Sequence, residues 1–75
     1  MNIETLTALY IAADAAQKAV NVTGACTAER MAAIDALELA EDALVSGKNG
    51  LRLELGSKRA CPIIRQARRA ASRAN

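Results

Sequence analysis

Residues 28–45 read AERMAAIDALELAEDALV and predict an amphipathic helix. Thr27 stands directly before this stretch and is a good N-cap, and Glu29 lies in the first turn, where the helix dipole favours an acid. At helical spacing the apolar residues share one face, which is rich in small side chains: Ala32, Ala33, Ala36, Leu37, Leu39, Ala40, Ala43 and Leu44. Small side chains on this face allow a neighbouring helix to approach closely.

The preceding segment predicts another helix over residues 3–20, with Asn2 as its N-cap and Gly24 as its terminator. Ile11 falls on the polar side of this helix, either as a lone exposed residue or as part of a second contact surface. The apolar face comprises Leu6, Leu9, Tyr10, Ala13, Ala16 and Val20. We expect the two helices to form an antiparallel helical hairpin over residues 3–45.

The sequence after this hairpin predicts a change of structure. Residues 46–50, SGKNG, are typical of a break, and residues 51–55, LRLEL, alternate between apolar and polar with period two. The alternation predicts a short extended segment, which is either a strand paired with a second copy or a connection that covers the hairpin. Pro62 fits the first position of a third helix. The predicted fold is therefore mostly α, one domain over residues 1–75, with an extended connection over 46–61 and a basic helix over 62–74.

The size of the chain predicts a partner. The protein has 75 residues, of which 18 are alanine, so its core is small in area. A domain of this length rarely obtains more than about 3–5 kcal/mol from its own core. We therefore expect a homodimer.

Charge is distributed unevenly along the sequence. Residues 1–47 contain seven acids and two bases, a net charge of −5, whereas residues 48–75 contain eight bases and one acid, a net charge of +7. One helical face collects four of the arginines, and two further bases precede it: Lys58, Arg59, Arg65, Arg68, Arg69 and Arg73. Such a stripe either binds phosphate backbones or faces the acids of the second predicted helix, within the chain or across a dimer.

The acids of the second helix form their own stripe, which comprises Asp35, Glu38, Glu41 and Asp42. We interpret it as a solvated or ion-paired face rather than a metal site, since carboxylate metal sites draw on facing helices and often add a histidine. The chain contains no histidine, which removes the commonest general base and the imidazole metal ligands. The sequence thus predicts no enzyme, cofactor, metal or small-molecule substrate.

The two cysteines leave several interpretations open. Cys26 and Cys61 could form a disulfide, Cys61 could be a reactive thiol beside Lys58 and Arg59, or both thiols could be buried and inert. The sequence shows neither a secretory signal nor a charge-free apolar run of about 18 residues, so we expect no membrane span and a cytoplasmic location.

The remaining apolar side chains exceed what a two-helix hairpin can bury. They form a homodimer core or a surface for another protein, and the expected partner-binding residues are Tyr10, Ile11, Leu51, Leu53 and Leu55. The leading functional interpretation is a small non-enzymatic protein-binding regulator, an inhibitor or adaptor of the kind that phages use against host proteins or defences. The alternative is a nucleic-acid-binding regulator that uses Lys58, Arg59, Arg65, Arg68, Arg69 and Arg73.

Overall fold

A computed structural model describes residues 2–24 and 27–74, which form three α-helices. α1 spans Ile3–Asn21, α2 spans Ala28–Leu55 and α3 spans Ser57–Ala74. No β-strand occurs in this described part of the chain. The predicted helical character is confirmed, whereas the extended element is replaced by helix.

The first two helices begin where side-chain caps were predicted. The Asn2 side-chain oxygen accepts a hydrogen bond from the Thr5 amide at 2.8 Å, and the Thr27 hydroxyl accepts one from the Arg30 amide at 3.1 Å. Each cap satisfies an amide that has no partner within its own helix. The prediction that Gly24 terminates α1 is wrong, because Val22 caps this helix in an ordinary right-handed conformation.

The sequence predicted a break at residues 46–50 and an extended segment at 51–55. Both predictions are wrong, since α2 continues through both stretches. Leu44, Gly47 and Leu51 follow one another at intervals of three and four residues, and all three lie on the inner face of the helix. Burial of this face outweighs the helical cost of glycine, which is about 1 kcal/mol per residue. Leu51 and Leu55 are four residues apart and share the inner face of the helix, whereas Leu53 lies on its outer side.

Gly56 is the single residue between α2 and α3. Its backbone has φ 84° and ψ 154°, a conformation that is nearly exclusive to glycine. The Gly56 amide donates to the Arg52 carbonyl at 2.8 Å, and the Gly56 carbonyl accepts from the Ala60 amide at 3.0 Å. This residue therefore ends one helix and starts the next.

α3 begins at Ser57, five residues before the predicted start. Pro62 was expected at the first helical position and instead lies inside the helix. The early start follows from Gly56, whose positive φ turns the chain sharply enough for a new helix to begin at once. Proline in a helix interior removes one backbone hydrogen bond and crowds the preceding turn.

The core lies where the three helices meet. Leu6 of α1 and Leu51 of α2 are its largest fully buried side chains, and α3 contributes the buried Ala60 and Ala67. Partly buried side chains surround this cluster: Leu9, Tyr10, Leu44, Leu55, Ile63 and Ile64. Because the contribution of α3 consists largely of small side chains, this helix can lie close to the other two.

The contacts also define how the helices lie along one another. Leu6 shares the core with Leu51, while the Arg30 guanidinium donates to the Val20 carbonyl at 3.3 Å, so α1 and α2 run in opposite directions. Near the end of α3, Ser72 lines a cavity together with Leu44. α3 therefore packs along the second half of α2, and the first half extends past it. The molecule measures 42 × 24 × 15 Å, and its longest dimension matches a helix of the length of α2 at about 1.5 Å per residue.

Candidate binding surface

The outer side of α3 is a continuous cationic surface, which we call the basic face. Its six side chains are all exposed: Lys58, Arg59, Arg65, Arg68, Arg69 and Arg73. The opposite side of the helix is buried through Ala60, Ala67 and Ala71. The cations of the helix thus lie away from its buried side, together with the exposed Pro62, and they are spread over about 22 Å of helix length.

The acidic stripe lies on a different part of the molecule. Asp35, Glu38 and Glu41 are exposed on the first half of α2 and Asp42 directly follows them, whereas α3 packs along the second half. The acidic stripe and the basic face therefore both face solvent. The acidic stripe lies toward the end of the molecule that α3 does not reach. This separation gives the chain a strong asymmetry of charge along its long axis.

An apolar groove of about 420 Å³ runs between α1 and α3. We call it the α1–α3 groove; its lining residues are Ile3, Glu4, Thr7, Ala8, Ile11 and Ala70. The Thr7 hydroxyl donates to the Ile3 carbonyl at 2.7 Å, so its proton is already used within α1. Glu4 supplies the one carboxylate of the groove. Ala70 belongs to α3, so the groove borders the helix that carries the basic face.

The structure separates the five residues that were predicted to form a partner-binding surface. Leu51 is only 2% exposed and belongs to the core. Tyr10 and Leu55 are half-buried against that core, and Ile11 lines the α1–α3 groove. Leu53 is 89% exposed on the outer side of α2. The helical course of residues 51–55 explains this division, because it turns Leu51 and Leu55 inward and Leu53 outward.

Most of the groove was not identified from the sequence. Ile3, Thr7 and Ile11 follow one another at intervals of four residues and so form one ridge of α1. The exposed position of Ile11 was the available signal, since it suggested a second contact surface. Ala70 carried no signal, because its place beside this ridge depends on how α3 packs.

Cys61 lies exposed on α3, where Arg65 donates from its guanidinium to the Cys61 sulfur at 3.6 Å. The expectation that this thiol is buried is therefore wrong. Cys26 lies outside the described residues. The interpretation of a disulfide between Cys26 and Cys61 therefore also lies outside them.

Comparisons with protein-family models, with curated proteins and with solved structures found no significant match for this chain. Within the described residues, no helix is both long and apolar enough to cross a membrane. The same residues contain no group of three or more histidine, cysteine, aspartate or glutamate side chains that could hold a metal ion.

Proposed function

We propose that this protein is a small non-enzymatic regulator that binds another protein and acts by occupying part of its surface. The observation that carries this proposal is the α1–α3 groove, an apolar depression of about 420 Å³ that borders the cationic helix. Protein interfaces combine a central apolar contact with a polar or charged rim, and arginine is enriched in them. The groove with Ile11 serves as the apolar centre, and the basic face supplies the rim.

The charge of the surface defines the partner. Six exposed cations on one helix attract an acidic surface, both in steering the encounter and in fixing its orientation. We therefore propose a partner protein with an acidic patch that surrounds at least one protruding apolar side chain. An inhibitor or adaptor of this kind, including an anti-host or anti-defence factor of a phage, needs no catalytic residue of its own.

The test is affinity capture from a nuclease-treated bacterial lysate, followed by binding of the purified partner to matched variants. Ile11→Asp places a charge in the groove and should weaken binding by about tenfold or more. Leu39→Asp is the control, since Leu39 is 72% exposed on α2 and does not line the groove. Equal affinity of both variants for the captured partner would refute the proposed surface.

A second candidate function is nucleic-acid binding, and the basic face favours it. Arginine side chains match phosphate oxygens, and their binding releases condensed counterions. This function predicts affinity for duplex DNA that falls steeply as salt rises from about 50 to 200 mM. Binding that does not change with salt, or no binding at low salt, would exclude it.

We also propose that the chain acts in the cytoplasm as a homodimer. The separation of acids on α2 from bases on α3 supports an arrangement in which two copies lie side by side in opposite directions. Sedimentation equilibrium at micromolar concentration should give twice the 7.9 kDa mass of one chain, with dissociation at high salt. A single 7.9 kDa species at low salt would refute the dimer.

A further inference from the structure

A second cavity, of about 400 Å³, opens at the junction of all three helices. Unlike the α1–α3 groove, it is lined mainly by polar side chains. α1 contributes Tyr10 and Asp14, α2 contributes Leu44 and Lys48, and α3 contributes Arg68 and Ser72. We call it the three-helix cavity.

Positive charge predominates in this cavity. Two cations, Lys48 and Arg68, line it together with one carboxylate, that of Asp14, which is itself engaged in an interaction. The Lys48 ammonium nitrogen lies 5.9 Å from the centre of the Tyr10 ring, and both side chains are half-buried. The ring attracts this ammonium through its negative face and keeps it at the cavity.

We propose that the three-helix cavity binds inorganic phosphate or the terminal phosphate of a small phosphomonoester. Lysine and arginine are the two side chains that recognise phosphate most often, and arginine can donate two parallel hydrogen bonds to it. The hydroxyl groups of Tyr10 and Ser72 are further donors at the same cavity. Donors from three helices suit a tetrahedral dianion, which accepts hydrogen bonds in several directions. This site shares Arg68 with the basic face, but none of its lining residues belongs to the α1–α3 groove.

The experiment is a titration of the whole protein with inorganic phosphate, followed by amide chemical shifts at constant ionic strength. Binding should be saturable, and the shifts should be concentrated in residues 10–14, 44–48 and 68–72. Arg68→Gln should weaken the affinity by roughly tenfold or more, because it removes a charged donor. Arg59→Gln is the matched control, since it removes the same charge from an exposed position outside the cavity.

Arg68 is exposed, so the Arg68→Gln variant should keep the fold, which its circular dichroism spectrum checks. Equal weakening in Arg68→Gln and Arg59→Gln would overturn the site, because it would assign phosphate binding to the net charge of α3. Chloride that reproduces the same shifts would overturn it as well. Dimethyl phosphate, a diester with a single charge, should bind more weakly than phosphate, and equal binding would refute the preference for a dianion.

Discussion

Replacing Gly50 with alanine should stabilise this protein, and the same replacement at Gly56 should destabilise it. Gly50 lies inside α2, and a methyl group added there would meet no atom within 4 Å. In a helix interior, alanine is favoured over glycine by about 0.8–1 kcal/mol. The new methyl group contacts nothing, so this backbone gain is the whole expected effect.

Gly56 provides the matched comparison, because an added methyl group would also meet no atom within 4 Å there. The difference lies in the backbone, since φ is 84° at Gly56. A residue with a β-carbon in this conformation costs about 1–3 kcal/mol. The two variants should therefore differ by about 2–4 kcal/mol in the free energy of unfolding, although the chemical change is identical.

Thermal unfolding followed by circular dichroism measures both effects. For a domain of this size, about 1 kcal/mol corresponds to about 4–8 °C in Tm. Gly50→Ala should therefore raise Tm by about 4–8 °C, and Gly56→Ala should lower it by at least that amount. A lower Tm for Gly50→Ala would contradict the continuous helix and favour the break that residues 46–50 predicted. A higher Tm for Gly56→Ala would refute the assigned turn.

Three further substitutions test the core and the helix ends. Leu6→Ala removes a fully buried side chain and should lower the free energy of unfolding by about 3–5 kcal/mol. In urea unfolding most of the native baseline should be lost. An unchanged urea midpoint would contradict the burial of Leu6 in the core. Thr27→Ala removes the cap on the Arg30 amide and should cost about 1 kcal/mol in urea unfolding, whereas Thr27→Ser should restore the stability. Pro62→Ala should stabilise α3 by up to about 3 kcal/mol in thermal unfolding, and a loss of stability would contradict a proline inside this helix.

The beginnings of α1 and α2 were predictable from sequence because their signals are local. Asn2 and Thr27 cap amides three residues ahead, so the contact that starts each helix lies within one turn of the chain. The inward positions of Leu6, Ala13 and Val20 also followed from the helical period alone. These features needed no knowledge of how the helices pack.

The course of residues 46–55 was not predictable in this way. Two glycines within five residues favour a break, and alternating leucines favour a strand, so both local signals pointed away from a helix. The helix is favoured instead by contacts with other helices, because Leu6 of α1 and Ala60 and Ala67 of α3 bury Leu51 in the core. Tertiary burial of this kind overrides local propensity.

In the candidate surface, too, the features of a single helix were predictable from sequence, and the features formed by several helices were not. Four arginines of α3 could be assigned to one face from their spacing, because that face belongs to a single helix: Arg65, Arg68, Arg69 and Arg73. Lys58 and Arg59 were expected in the extended connection before this helix, since its early start at Ser57 depends on the turn at Gly56. The α1–α3 groove and the three-helix cavity each need two or three helices at once. Their lining residues, such as Ala70 and Ser72, are individually unremarkable in the sequence.

The small side chains that α3 buries in the core affect how easily this helix unfolds locally. Ala60, Ala67 and Ala71 bury little area each, and six cations on the outer side repel one another. Local opening of α3 should therefore cost less free energy than it would if the helix buried larger side chains, and its amides should exchange with solvent sooner. An anionic ligand that neutralises the basic face would slow this exchange, so recognition and ordering of the helix are thermodynamically linked. The helix that carries the basic face is therefore also a helix that an anionic ligand would stabilise.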